Sequence, residues 1–156
     1  MIHLEPVTPD NWRERLEVRP EQEQFVAPKA TILARAWVYR DARSRMFMIY
    51  ADETPVGLVL YHDYEDEDTH ETVYDFDQLL IDARYQGRGY GTETVRQVLA
   101  RMEAEGKYDR VVVCYVEGND DARRLYEKFG FVQTWDEDGE IVMEKRICRD
   151  ANGGGL

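Results

Sequence analysis

Cys114 and Cys148 are the only cysteines in the chain. Two are too few for a disulfide framework or a thiolate metal cluster, and reduced thiols in a cytoplasmic protein are expected. No apolar run approaches the roughly 20 residues that span a bilayer. The start, Met1-Ile2-His3-Leu4-Glu5-Pro6, lacks the basic-then-apolar pattern of a secretory leader, so no membrane partner is expected. No His, Cys, Asp or Glu spacing suits a metal site, and no metal is expected. Between Asp52 and Ala83 there is not one Lys or Arg, against eleven carboxylates. The whole chain carries a net charge of −12, which repels phosphate backbones and argues against a nucleic-acid partner.

What is present reads as one α/β domain over residues 1–147, with a flexible tail over 148–156. The 156 residues are 43% hydrophobic, enough for a core of their own. Ile2 to Val7 reads as a strand. Thr8-Pro9-Asp10 then offers a cap and a first-turn proline, predicting a helix that carries Leu16, Val18 and Phe25, with interruptions near Pro20 and Pro28. A second helix, Ala30 to Tyr39, would bury Ile32, Leu33, Ala36 and Trp37. Strands follow at Met46–Ala51, Val56–Tyr61 and Thr72–Ile81, the first two joined by a turn at residues 52–55. The acidic run Asp63 to Asp68 fits a solvated hairpin tip. Further strands fall at Val111–Val116, Phe131–Trp135 and Ile141–Ile147.

The most specific local pattern is Gln86-Gly87-Arg88-Gly89-Tyr90-Gly91. It joins the apolar run Leu79-Leu80-Ile81 to an amphipathic helix in which Val95, Val98, Leu99 and Met102 share a face and Gly106 marks the end. Alternate glycines at a helix start aim several main-chain N–H groups at one spot and remove the Cβ atoms that would keep a ligand away. The helix terminus adds partial positive charge, so the natural guest is a phosphate or pyrophosphate. The pattern has neither the Lys-Ser/Thr of a P-loop nor dinucleotide-fingerprint spacing, and alone it also fits an ordinary tight turn.

A second block, Asn119-Asp120-Asp121-Ala122-Arg123-Arg124-Leu125-Tyr126-Glu127-Lys128-Phe129-Gly130-Phe131, follows the strand Val111–Val116. Asn119 suits an N-cap, the two aspartates suit a first turn, and Gly130 suits the stop. The two blocks, in this order and flanked by strands, resemble the acyl-CoA loop and the Asn-x-x-Ala-x-x-Leu-Tyr helix of the GNAT N-acetyltransferases. The likeness spans Ile2 to Ile147. Glu23 to Pro28, Pro55-Val56-Gly57, Leu80-Ile81-Asp82 and Thr134 to Met143 look like the bacterial spermine/spermidine acetyltransferases within that family.

The resemblance implies a mixed, mostly antiparallel sheet flanked by helices in the order βααβββαβαββ. It implies acetyl-CoA as cosubstrate and direct acetyl transfer to a primary amine of a small polycation, and it leaves a homodimer open. Main-chain groups of Leu79, Leu80 and Ile81 would hold the acyl arm, and Gln86, Gly87, Arg88, Gly89, Tyr90, Gly91 and Thr92 the pyrophosphate. Arg84, Arg88, Arg96, Arg123 and Arg124 would make that side locally basic. Tyr126 matches the family's general acid, and its other reading is a core tyrosine. Asn119 is a helix cap or a cofactor contact. Asp75 and Asp77 share one face of a strand. Asp75 would take the ammonium proton or hold the ammonium, and the pair is expected in a wet cleft because sealing both would be costly. Glu21, Glu23 and Asp82 are further candidates for binding amines. His62 and His70, beside the acidic turn, read as surface residues. Two alternatives stand beside this: the same chemistry on an aminoglycoside, amino acid or protein N-terminus, and a CoA-binding sensor without turnover.

Overall fold

The computed structural model describes residues 1–147. Cys148 and the expected flexible tail over 148–156 lie outside the described residues. The elements are β1 (Ile2–Pro6), α1 (Lys29–Val38), β2 (Arg45–Ala51), β3 (Thr54–Glu65), β4 (Thr72–Ile81), α2 (Tyr90–Glu105), β5 (Arg110–Val116), α3 (Asp120–Lys128), β6 (Val132–Glu137) and β7 (Glu140–Arg146). Short 3₁₀ turns sit at Pro20–Gln22, Arg40–Ala42 and Ala83–Tyr85. The strands form a seven-stranded sheet in the order β1-β2-β3-β4-β5-β7-β6. It is mostly antiparallel, with β4 and β5 parallel. Among the described residues no helix is long and apolar enough to cross a membrane.

The chain divides into two compact units, Met1–His62 with Asp77–Val95, and Asp63–Phe76 with the segment from Arg96 onward. In the first, β1 and β2 pair from Ile2↔Ala51 to Pro6↔Phe47. β2 and β3 pair from Arg45↔Tyr61 to Ala51↔Thr54, with a register shift at Ile49/Tyr50. One face carries a core of Leu16, Ile32, Met48, Leu58, Leu60 and Leu80. Ile32 is the fully buried residue of α1, reached by the helix's apolar stripe. In the second unit, Tyr74–Phe76 run parallel to Val111–Val113, and β5 pairs along its length with β7. Its core includes Val73, Phe76, Val98, Met102, Val111, Phe131 and Met143. Tyr74 is fully buried, and its hydroxyl donates to the carbonyl of Met102 at 3.3 Å.

Three expectations are corrected. The first of the two helices expected between β1 and β2 is not formed. After a single turn, in which Trp12 N–H reaches Thr8 C=O, the backbone turns to other partners. Asn11 takes the Thr8 N–H on its side chain and donates to the Pro6 carbonyl, and Glu17 exchanges bonds with the 82–83 segment. Those bonds, together with Pro20, leave no run long enough to propagate a helix. Trp37, expected on the buried side of α1, is 68% exposed, with the Arg40 guanidinium 4.2 Å from its ring centroid. β3 also runs on to Glu65, so Asp63 to Glu65 belong to a strand, and the turn lies beyond them.

Gly57 is a tight steric constraint in the first unit. A Cβ there would stand 2.2 Å from the Leu80 carbonyl oxygen and against the side chains of Ile81 and Ile49. The obstacle is backbone, so it cannot rotate away. Gly57→Ala should destabilise the protein by about 1–3 kcal/mol, the usual range for overpacking. A lowered urea midpoint at unchanged slope is the expected result.

Candidate functional site

The loop after β4 takes the shape its glycines allow. Gly87 and Gly89 have φ of 76° and 82°, the left-handed region, and a Cβ at either would meet no protein atom within 4 Å. The glycines therefore serve the backbone path and leave open space outside it. Glu93 N–H bonds to Gly89 C=O, which makes Gly89 the N-cap of α2. The N–H groups of Tyr90, Gly91 and Thr92 then precede any intrahelical acceptor and open at the positive end of the helix. Thr94, one turn in, is fully buried, and its hydroxyl donates to the Tyr90 carbonyl.

Side chains around the loop hold it in place. The Gln86 amide donates to the Ile81 carbonyl at 2.8 Å and exchanges hydrogen bonds with the Gln22 amide, 2.9 Å each way, while its oxygen also accepts from Arg19. Gln86 thus ties the loop to the end of β4 and to the Pro20–Gln22 turn. Asp82 is buried. It accepts from Glu17 N–H, Arg84 N–H and the Arg84 guanidinium. Burial alone would raise its pKa, but the hydrogen bonds from Arg84 and Glu17 outweigh it and hold the carboxyl below the usual range. This full set of internal partners corrects the expectation that Asp82 binds an amine. Leu79 and Ile81 are half-buried and Leu80 is buried.

Three of the arginines expected to make the cofactor side basic are engaged by carboxylates. Arg84 is paired with Asp82, Arg123 with Asp120 and Glu127, and Arg124 with Asp121. Arg88, on the loop itself, lies 5.8 Å from the Tyr85 ring centroid.

Asp77 is corrected as well. Its side chain is only 7% exposed, not in a wet cleft. Arg35 grips it with two hydrogen bonds of 3.0 and 2.9 Å, His62 Nε2 lies 3.1 Å from Oδ2, and Gln78 donates to Oδ1. Burial pushes the Asp77 carboxyl up, yet the bonds from His62 and Arg35 prevail and hold it below the ordinary carboxylate range. His62, expected at the surface, is 2% exposed and stacked on Tyr39 at 4.3 Å. Nothing in the local sequence signals this Arg35–Asp77–His62 cluster, because its members come from three separate elements. Asp75 is half-buried on β4 and pairs in register with Val112. Glu21 and Glu23 are exposed, Glu21 one residue before the Gln22 that braces the loop.

In the second unit Asn119 caps α3, its side chain accepting from Ala122 N–H at 3.2 Å. Tyr126 is the buried residue of α3, edge-on to Phe76 and Phe131. Burial pushes the phenol well above its ordinary value, with a smaller contribution from Cys114. The ring packing is that of a core tyrosine, the expected alternative reading.

Comparison with known proteins bears on both units. The family model described as "Acetyltransferase (GNAT) family" matches residues 5–131. The spermine/spermidine N(1)-acetyltransferase of Bacillus subtilis (strain 168) is 28% identical over 155 residues, covering 94% of this chain and 99% of that one. Among solved structures, an acetyltransferase from Thermus thermophilus superposes with a TM-score of 0.74 at 18% identity, covering 94% and 97% of the two chains. A spermidine N-acetyltransferase from Vibrio cholerae, in complex with CoA and spermine, does so with a TM-score of 0.68 at 16% identity, covering 98% of each. The last two likenesses are of fold.

The Asp77 cluster carries a pH signature. A depressed folded-state pKa contributes stability above the unfolded value near ~3.9, lost as pH falls through the folded value. Asp77→Asn should destabilise the protein by about 2–4 kcal/mol at pH 7, because Arg35 and His62 lose their shared acceptor. The gap between wild type and variant should narrow as pH drops below about 4. Denaturant melts at pH 7, 5, 4 and 3 check this, and a constant gap would refute the charged pairing.

Proposed function

The chain belongs to the GNAT family of N-acetyltransferases, and from that premise we propose that it acetylates a primary amine of a small polycation of the spermidine or spermine class, with acetyl-CoA as donor. The observation that carries the donor assignment is the Gly87–Gly89 turn, which leaves the amides of Tyr90, Gly91 and Thr92 at the open end of α2. Their geometry and partial positive charge fit a diphosphate, and Arg88 adds a further cation. Support for the acceptor comes from the Bacillus subtilis relative, which is similar over nearly the whole chain, and from the net charge of −12, which favours a cationic guest.

Acetyl-CoA supplies an acetyl thioester, and the chain's own groups supply position and protons. Main-chain groups of Leu79, Leu80 and Ile81 orient the acyl arm along β4. The amine, with an intrinsic pKa near ~10, arrives protonated and must lose a proton before it is nucleophilic. Asp75 takes that role, directly or through a water. Asp77, saturated by Arg35, His62 and Gln78, instead keeps the strand between them rigid. Glu21, exposed on the turn that braces the loop, is a partner for a distal ammonium. Tyr126 returns a proton to the departing thiolate. Its raised pKa keeps it protonated across the neutral and mildly alkaline range. Asn119 holds the start of α3 and so fixes where Tyr126 stands.

A panel of amines assayed by thiol release with acetyl-CoA tests the acceptor. Spermidine and spermine should exceed amino acids, aminoglycosides and a peptide N-terminus in kcat/KM by at least about tenfold, the discrimination that one extra paired charge supplies. A preference for any other class would overturn the polyamine assignment. For the proton donor, Tyr126→Phe should lower kcat by about 10²–10⁴-fold while leaving the Kd for acetyl-CoA within about twofold. A variant with full kcat would show that the thiolate leaves without help from this phenol.

A further inference from the structure

We propose that a cavity of about 650 Å³ beside Leu80 takes the alkyl chain of acyl-CoA donors longer than acetyl, so that Val18, Val26 and Ala27 set the donor's chain length. The inference rests on the transferase reading above, in which residues 79–81 hold the acyl arm. Leu16, Val18, Val26, Ala27, Pro28 and Leu80 make the apolar part of the lining. Leu16 and Leu80 are members of the core cluster. Val18, Val26 and Ala27 pack against that cluster yet are only partly covered. Apolar surface thus stays open beside the strand residue whose main chain is assigned to the acyl arm. The size falls in the roughly 300–1,000 Å³ range of small-molecule sites.

The charges at the rim decide between an acyl chain and the polycationic acceptor. Arg13, Arg15 and Lys29 stand there against Glu17 and Glu23. Glu17 is paired with Arg15 at 3.0 Å, and the Lys29 ammonium donates to the carbonyls of Trp12 and Glu14. The rim therefore carries one cation more than its carboxylates, in a chain of net charge −12. A molecule with three or four ammonium groups is repelled from such a mouth, whereas an uncharged alkyl chain is indifferent to it. Entry of that chain changes no bond in the reaction: the acyl carbon still leaves sulfur for nitrogen.

The test is kcat/KM for acetyl-, propionyl-, butyryl- and hexanoyl-CoA at a fixed amine, in wild type and in Ala27→Leu and Ala27→Phe. Wild type should gain about fourfold per added methylene until the cavity fills, the equivalent of roughly 0.8 kcal/mol per buried CH₂. In Ala27→Phe the hexanoyl-to-acetyl ratio should fall at least tenfold, with Ala27→Leu between. A wild-type ratio far below one that neither variant changes would overturn the proposal, while acetyl turnover would leave the transferase reading standing. A raised KM for the amine with an unaltered donor profile would also overturn it, by giving the cavity to the acceptor. Loss of turnover with every acyl-CoA would remove both readings. Should the variants fail to fold, calorimetry on wild type decides. Tighter binding of hexanoyl-CoA than of acetyl-CoA supports the cavity, and equal binding refutes it.

Discussion

Three amides at the start of α2 have no acceptor inside their own helix, and this is a property of any helix end that no change of side chain removes. Most proteins meet it with a capping side chain. Here the capping position is Gly89, which has no side chain to offer, and a Cβ at Gly87 or Gly89 would touch nothing of the protein. The donors are thus presented outward, in space kept clear by the absence of two side chains. Gln86, Gln22 and Asp82 hold that end of α2 in place.

The bracing around it is built from neutral and charged groups in different ways. Gln86 and Gln22 exchange amide hydrogen bonds, a contact insensitive to pH and salt, and Gln86 also reaches back to the Ile81 carbonyl. Asp82 joins the 3₁₀ turn before the loop to Glu17, fixing the irregular 11–19 segment in place of a helix. Gly57 lets the Leu80 carbonyl come closer to β3 than any other residue would allow. The two buried carboxylates of this unit are saturated, Asp82 and Asp77 by four donors each. That economy follows from the desolvation cost of a charge in an apolar surround.

The strands, α2, α3 and the glycine loop were legible in the sequence because each depends on local patterns. Alternation bounds β4 at Thr72 and Ile81, and Gly106 and Gly130 stop their helices with φ of 65° and 87°. The helix expected after Thr8 was not legible. Its propensity and capping signals are real, but Asn11 and Glu17 spend their backbone and side-chain bonds on Pro6, Thr8 and the 82–83 segment, the last of these far along the chain. The burial of His62 and Asp77 was hidden for the same reason, since the guanidinium that stabilises them comes from α1. Trp37 misleads in the opposite direction. Helical spacing places it beside buried positions, yet it covers itself with Arg40 and stays in solvent.

Tyr126 belongs to the core by packing. Its ring meets Phe76 and Phe131 edge-on, the arrangement expected of an aromatic core member. A phenylalanine would satisfy those ring contacts equally well, so the packing by itself does not require the hydroxyl. The ring is fixed by its packing and burial keeps the phenol protonated, the two properties on which the proton-donor role proposed for it depends.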